Sequence, residues 1–97
     1  MIIFRPRRVQ RLARIVSAMT GITAPELMGA GRSRHLAYAR FAIAYAARKA
    51  GMSYPEIGRC MGNRDHTTIM HADKQAAKMC KLDPCFATRC RILISAI

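Results

Sequence analysis

The chain has no tryptophan, five acidic residues in all, and no apolar run approaching the roughly 18 residues that a membrane span requires. The last absence leaves no membrane helix to predict. The shortage of acids matters more, because 17 lysines and arginines against 5 aspartates and glutamates leave a formal charge of +12 on 97 residues. A positive field of that strength exceeds what solubility needs and predicts a polyanionic partner. Four cysteines are present (Cys60, Cys80, Cys85 and Cys90), but no C-x-x-C pair occurs, and their spacings match no metal-ligand pattern. No metal or other cofactor is therefore expected. Met1-Ile2-Ile3-Phe4 runs straight into arginines without the apolar core of a secretory signal, so the thiols read as reduced and the protein as cytoplasmic. Nor is there a G-x-x-x-x-G-K-[ST] phosphate loop, which excludes nucleotide hydrolysis of that kind by these residues.

What is present begins with a hydrophobic fraction of 52%, enough for one compact domain over residues 1–97. Val9, Leu12, Ala13, Val16 and Met19 recur at helical spacing and predict a first helix from about Arg7 to Met19, with Arg7, Arg11 and Arg14 on its solvated face. Gly21 ends it. Thr23 caps a short helix starting near Pro25, with Leu27 to bury. Gly29-Ala30-Gly31-Arg32-Ser33-Arg34 then forms a flexible basic loop whose two arginines can enter a narrow groove or clamp phosphates. A helix start capped by Ser33 explains the same residues almost as well.

From about Arg34 to Ala50 the alanine-rich, breaker-free run predicts a long helix that buries Ala39, Ala42, Ile43, Ala46 and Ala47 and leaves Arg40, Arg48 and Lys49 outside. Gly51 stops it. Ser53 and Glu56 have the spacing of a capping box, and Pro55 suits the first turn of the helix they open. That helix buries Ile57, Cys60 and Met61, and Gly62 permits the left-handed turn that ends it. The next helix runs from near Asp65 to about Lys81, burying Ile69, Ala72, Ala76, Met79 and Cys80. Asp83-Pro84 opens a last one with Phe86, Ile92, Leu93 and Ile97 as its apolar residues. The fold class is all-α, and the short helix, glycine turn and longer helix constitute a helix-turn-helix.

In that motif the start of the second helix lies in the major groove of DNA. Asp65 can be the N-cap of that helix or accept from a cytosine amino group. His66 can donate to a base, and core packing rarely explains a histidine at a helix start. Thr67 and Thr68 can serve as first-turn residues, give a hydroxyl to phosphate or touch a thymine methyl. Arg64 reads as a phosphate contact, Lys74 as a backbone neutraliser and His71 as partly packed.

Arg32-Ser33-Arg34, Ala39-Arg40, Ser53-Tyr54-Pro55-Glu56-Ile57-Gly58 and Gly62-Asn63-Arg64-Asp65-His66-Thr67-Thr68-Ile69-Met70-His71-Ala72 together resemble the C-terminal DNA-binding domain of the bacterial replication initiator family DnaA. The similarity extends from about Val9 to the C-terminus. It implies an all-helical domain, Trp-repressor-like in its helix-turn-helix, that binds double-stranded DNA at a short asymmetric site, the DnaA box. Carried onto these residues, it implies that Arg32 reads the minor groove and that Asp65, His66 and Thr67 read the major groove. Arg40, Ser53, Thr68 and the backbone around Tyr54 and Pro55 would hold phosphates, and Arg34 is a further basic residue of the loop. This chain departs from the family in having Asn63 for a second glycine, Tyr54 for a leucine and Phe41 for a polar phosphate-binding residue. Without an ATPase module the chain reads as either an excised domain or a small free-standing protein of phage or mobile-element type, and Met1 with the basic N-terminal lead-in favours the second. An asymmetric site needs only a monomer.

Two other functions compete. An enzyme would need His66, His71 and Asp65 to act together, but the histidines lie five residues apart on different helical faces with no carboxylate pair beside them, so no catalytic residue is expected. A non-specific nucleic-acid binder would rely on charge alone; of six aromatic residues only Phe4 and Tyr54 read as free to stack on unpaired bases.

Overall fold

The computed structural model describes residues 6–97, which leaves the Met1–Phe4 lead-in, and with it Phe4, outside the described residues. Six helices follow one another: α1 (Pro6–Thr20), α2 (Ala24–Met28), α3 (Arg34–Lys49), α4 (Tyr54–Cys60), α5 (His66–Leu82) and α6 (Pro84–Ser95). No strand occurs among the described residues, and every predicted helix is found within one or two residues of its expected limits.

α3 lies at the centre and packs against each of the other five helices. It can do so because Ala39, Ala42, Ala44, Ala46 and Ala47 are buried with Leu36 and Ile43, and small side chains on several faces let neighbouring backbones come close. α1 lays Val9, Leu12, Ala13 and Val16 against this centre. Met19, expected to continue that stripe, is instead exposed. It sits in the last turn of α1, at the mouth of a cavity of about 420 Å³ among α1, α3 and α6 whose wall includes Val16, Phe86 and Leu93. Arg7, Arg11 and Arg14 face solvent as expected.

α6 buries Phe86, Cys90 and Leu93, so Ile92 falls on the outer face and is exposed. Asp83 alone joins α5 to α6, its Oδ1 accepting from the backbone N–H of Cys85 at 3.0 Å and of Phe86 at 3.3 Å. The four cysteines are free thiols: Cys85 is exposed, Cys60 and Cys80 are half-buried and Cys90 is buried. Burial, with a hydrogen bond to Cys80 adding to it, pushes the Cys90 thiol up to about 12.

The junction of α4 and α5 depends on two close approaches. Arg64 N–H donates to Gly58 O at 2.8 Å, and a Cβ on Gly58 would lie 2.2 Å from the Arg64 carbonyl oxygen. Gly62 (φ +77°) and Asn63 (φ +60°) then take successive left-handed conformations, so Asn63 does occupy the turn geometry a second glycine would supply. A Cβ on Gly62 would lie 2.2 Å from Met28 O, which places the turn directly against the end of α2. α4 begins with Ser53 Oγ accepting from Glu56 N–H at 3.2 Å, and Glu56 is buried. The complete reciprocal capping box stands at α2, between Thr23 and Glu26. Tyr54, expected to be free, is half-buried: its hydroxyl donates to Asp73 Oδ2 on α5 at 2.7 Å, and its ring lies 4.6 Å beneath the Arg48 guanidinium.

Two substitutions test this junction by urea unfolding. Gly62→Ala combines left-handed strain of about 1–2 kcal/mol with a collision against backbone, so it should cost clearly more than Gly51→Ala. Gly51 has φ +92°, but among the described residues no atom beyond its chain neighbours lies within 4 Å of the place a Cβ would take there, so equal losses would show that the approach to Met28 relaxes freely. Tyr54→Leu should lower stability by about 1–2 kcal/mol through loss of the bond to a carboxylate and of the cation–π contact. No change would mean that leucine packing replaces both.

Candidate nucleic-acid interface

α5 presents its first turn to solvent. Asp65, His66, Thr67 and Thr68 are all exposed, while Ile69 is buried and fixes the helix against α4. The first-turn N–H groups and the positive end of the helix dipole lie at this end, an arrangement suited to a phosphate. Asp65 holds the N-cap position without a side-chain capping bond. Its carboxylate instead accepts from Thr67 Oγ1 and lies 3.1 Å from His66 Nδ1, so these three side chains form one connected polar group. The Thr67 hydroxyl, aided by His66, lowers the pKa of the Asp65 carboxyl from its ordinary value.

Further along α5, His71 is exposed on one side and packs its ring edge-on against Phe41 at 6.4 Å between centroids, in line with the expected partial packing. The half-buried Phe41 supplies an apolar wall on that side, not a phosphate donor. Lys74 is exposed, and Lys78 extends the ridge formed by Thr67, His71 and Lys74 at helical spacing. The sequence reading missed Lys78 although this spacing was available to find it.

The basic loop lies beside this end. Arg32, Ser33 and Arg34 are exposed, and Ser33, at the N-cap position of α3, makes no side-chain capping bond. A recess of about 220 Å³ is lined by Arg32, Arg40, Arg64, Thr68 and His71 among others, so the loop and α5 share one concave surface. On the α4 side, Pro55 is exposed and Ser53 half-buried.

Arg40 and Arg64 correct the expectation that both point outward to phosphates. Arg40 is half-buried, and its guanidinium donates to the carbonyls of Leu27 (2.8 Å), Glu26 (2.7 Å), Gly29 (2.9 Å) and Gly31. Four of its five N–H groups are thus committed to backbone. Arg64, also half-buried, donates to Met28 O, Gly29 O and Met61 O. Burial lowers the pKa of both, and for Arg40 the nearby charge of Arg64 lowers it further. The reason is tertiary: both side chains lie beneath the loop whose carbonyls they reach.

No group of three or more His, Cys, Asp or Glu side chains able to hold a metal occurs among the described residues. No helix of the described residues is long and apolar enough to cross a membrane. Tyr38, which the sequence reading did not single out, is the exposed aromatic ring among the described residues, while Tyr54 is engaged with Asp73.

Comparison with known proteins places this geometry in context. The family model described as bacterial DnaA protein helix-turn-helix matches residues 9–76. The chromosomal replication initiator protein DnaA of Lachnoclostridium phytofermentans is 37% identical over 84 residues, covering 86% of this chain and 18% of the relative. Its namesake in Acinetobacter baumannii is 39% identical over 79 residues, covering 80% of this chain and 17% of the relative. The chain therefore spans less than a fifth of the length of these curated relatives. With the match covering both the basic loop and the α4–turn–α5 unit, the chain belongs to the bacterial DnaA helix-turn-helix family, a DNA-binding family.

Proposed function

We propose that the chain binds double-stranded DNA in a sequence-specific manner at DnaA-box-like sites, with the start of α5 in the major groove and Arg32 in the adjacent minor groove. The observation that carries this reading is the pairing of two exposed features beside one recess: the polar group Asp65–His66–Thr67 at the start of α5 and the arginine loop. In the major groove, Asp65 accepts from a cytosine amino group, His66 donates to a base acceptor and Thr67 contributes a hydroxyl or its methyl. Arg32 suits a narrow minor groove, whose negative potential attracts a guanidinium. Thr68, Ser53, the backbone at Tyr54 and Pro55, Arg34 and Lys74 hold phosphates and fix the register, which is the usual division between positioning and reading contacts. The net charge of +12 accelerates encounter and supplies affinity that does not depend on sequence.

The biological role proposed is control of replication initiation or of transcription by occupancy of such sites. Binding as a monomer suits an asymmetric site and a single recognition helix, and neither nucleotide nor catalysis is required.

The test compares a labelled duplex containing a DnaA box with a scrambled duplex of equal composition at two salt concentrations. The reading predicts a preference for the box of about 3 kcal/mol or more at both, and a loss of about 1–3 kcal/mol for His66→Ala on the box alone. Equal affinity for the two duplexes, falling steeply with salt and indifferent to His66, would reduce the protein to a charge-driven binder.

A further inference from the structure

We propose that Arg40 and Arg64 are positioning residues that hold the Gly29–Arg34 loop as a rigid arm, so that Arg32 meets the minor groove in register with α5. This rests on the proposed reading of Arg32 and α5 as paired DNA contacts, and adds what couples them.

The loop has little of its own to order it. It contains two glycines, which lose the most conformational freedom on becoming fixed, and its early backbone bond is Gly29 N–H to Glu26 O at 3.3 Å. α2 is five residues long, so its last carbonyls have few helical partners. Arg40 and Arg64 meet both needs. Between them they donate to the carbonyls of Glu26, Leu27, Met28, Gly29 and Gly31, a nearly unbroken run from α2 into the loop. Arg64 also donates to Met61 O in the turn between α4 and α5, so one guanidinium touches both the arm and the helix-turn-helix. Gly62 completes the fit by allowing the turn to meet Met28 O.

Two guanidinium groups are thus held close together and partly out of water, an arrangement that is costly unless their donors are satisfied. The backbone carbonyls satisfy them. A planar fork with five donors can span several carbonyls at once, whereas a lysine ammonium replaces the charge but not the span. This difference separates a brace from a phosphate contact, because lysine serves a phosphate well.

The experiment uses the full chain with Arg40→Lys and Arg64→Lys. Backbone 15N relaxation without DNA should show Ala30, Gly31 and Arg32 rigid in the parent, with order parameters near about 0.85, and below about 0.6 in either variant, while residues 66–70 stay rigid. Binding to the box duplex is then measured in a double-mutant cycle. Arg32→Ala should weaken the parent about tenfold but the Arg40→Lys variant less than twofold, while His66→Ala should cost the same factor in both. A loop that stays rigid in the variants, independent losses for Arg32→Ala and Arg40→Lys, or disappearance of the His66 effect along with that of Arg32 would each overturn the proposal. If the relaxation changes as expected but the parent shows no preference for the box, the brace stands and the DNA-box reading fails.

Discussion

Close packing on α3 is the constraint from which the remaining structure follows. Five helices converge on one 16-residue helix, and they fit because five of its buried residues are alanines. Larger residues there would push the neighbours apart and force cavities or strained rotamers elsewhere. With α5 packed on α3 and its Ile69, Ala72 and Ala76 buried, the first turn of α5 stays exposed and its polar side chains can meet another molecule. The same helix carries Arg40, so the element that seats α5 also anchors the basic loop.

The charge distribution follows a related division of labour. Of the five acidic residues, Glu26 and Glu56 lie in the first turns of α2 and α4, and Asp65 and Asp83 occupy the N-cap positions of α5 and α6. Each complements the positive end of a helix dipole. Asp73 accepts from Tyr54. The acids are therefore used in holding helices in place, and the positive field of the arginines and lysines is left largely uncompensated. A fold with this economy of acids keeps its attraction for polyanions while still satisfying its helix ends.

Much of this was legible in the sequence because it is local. Capping residues, glycines after helices and the three- and four-residue apolar spacing found all six helices and the left-handed turn at Gly62. The first-turn residues of α5 were identified from their position alone, and the structure leaves them exposed. What was not legible depends on tertiary placement. Arg40 and Arg64 have long side chains whose reach passes over several residues, so spacing could not reveal that they turn onto the carbonyls of a loop distant in sequence. Tyr54 could not be assigned to Asp73 before α4 and α5 were set side by side. Ile92 is different: Phe86, Cys90 and Leu93 already mark the buried stripe of α6, and that spacing puts Ile92 outside it.

The proposed DNA-reading surface is one edge of the molecule, formed by the basic loop and the start of α5. The most direct measurement is an NMR titration of the 15N-labelled chain with a DnaA-box duplex, following every backbone amide. The account predicts large shifts confined to residues 29–34, 53–56 and 64–74, with the exposed arginine faces of α1 and α6 nearly unmoved. Shifts spread over Arg7, Arg14 and Arg91 as strongly as over His66, and reproduced by a scrambled duplex, would contradict it.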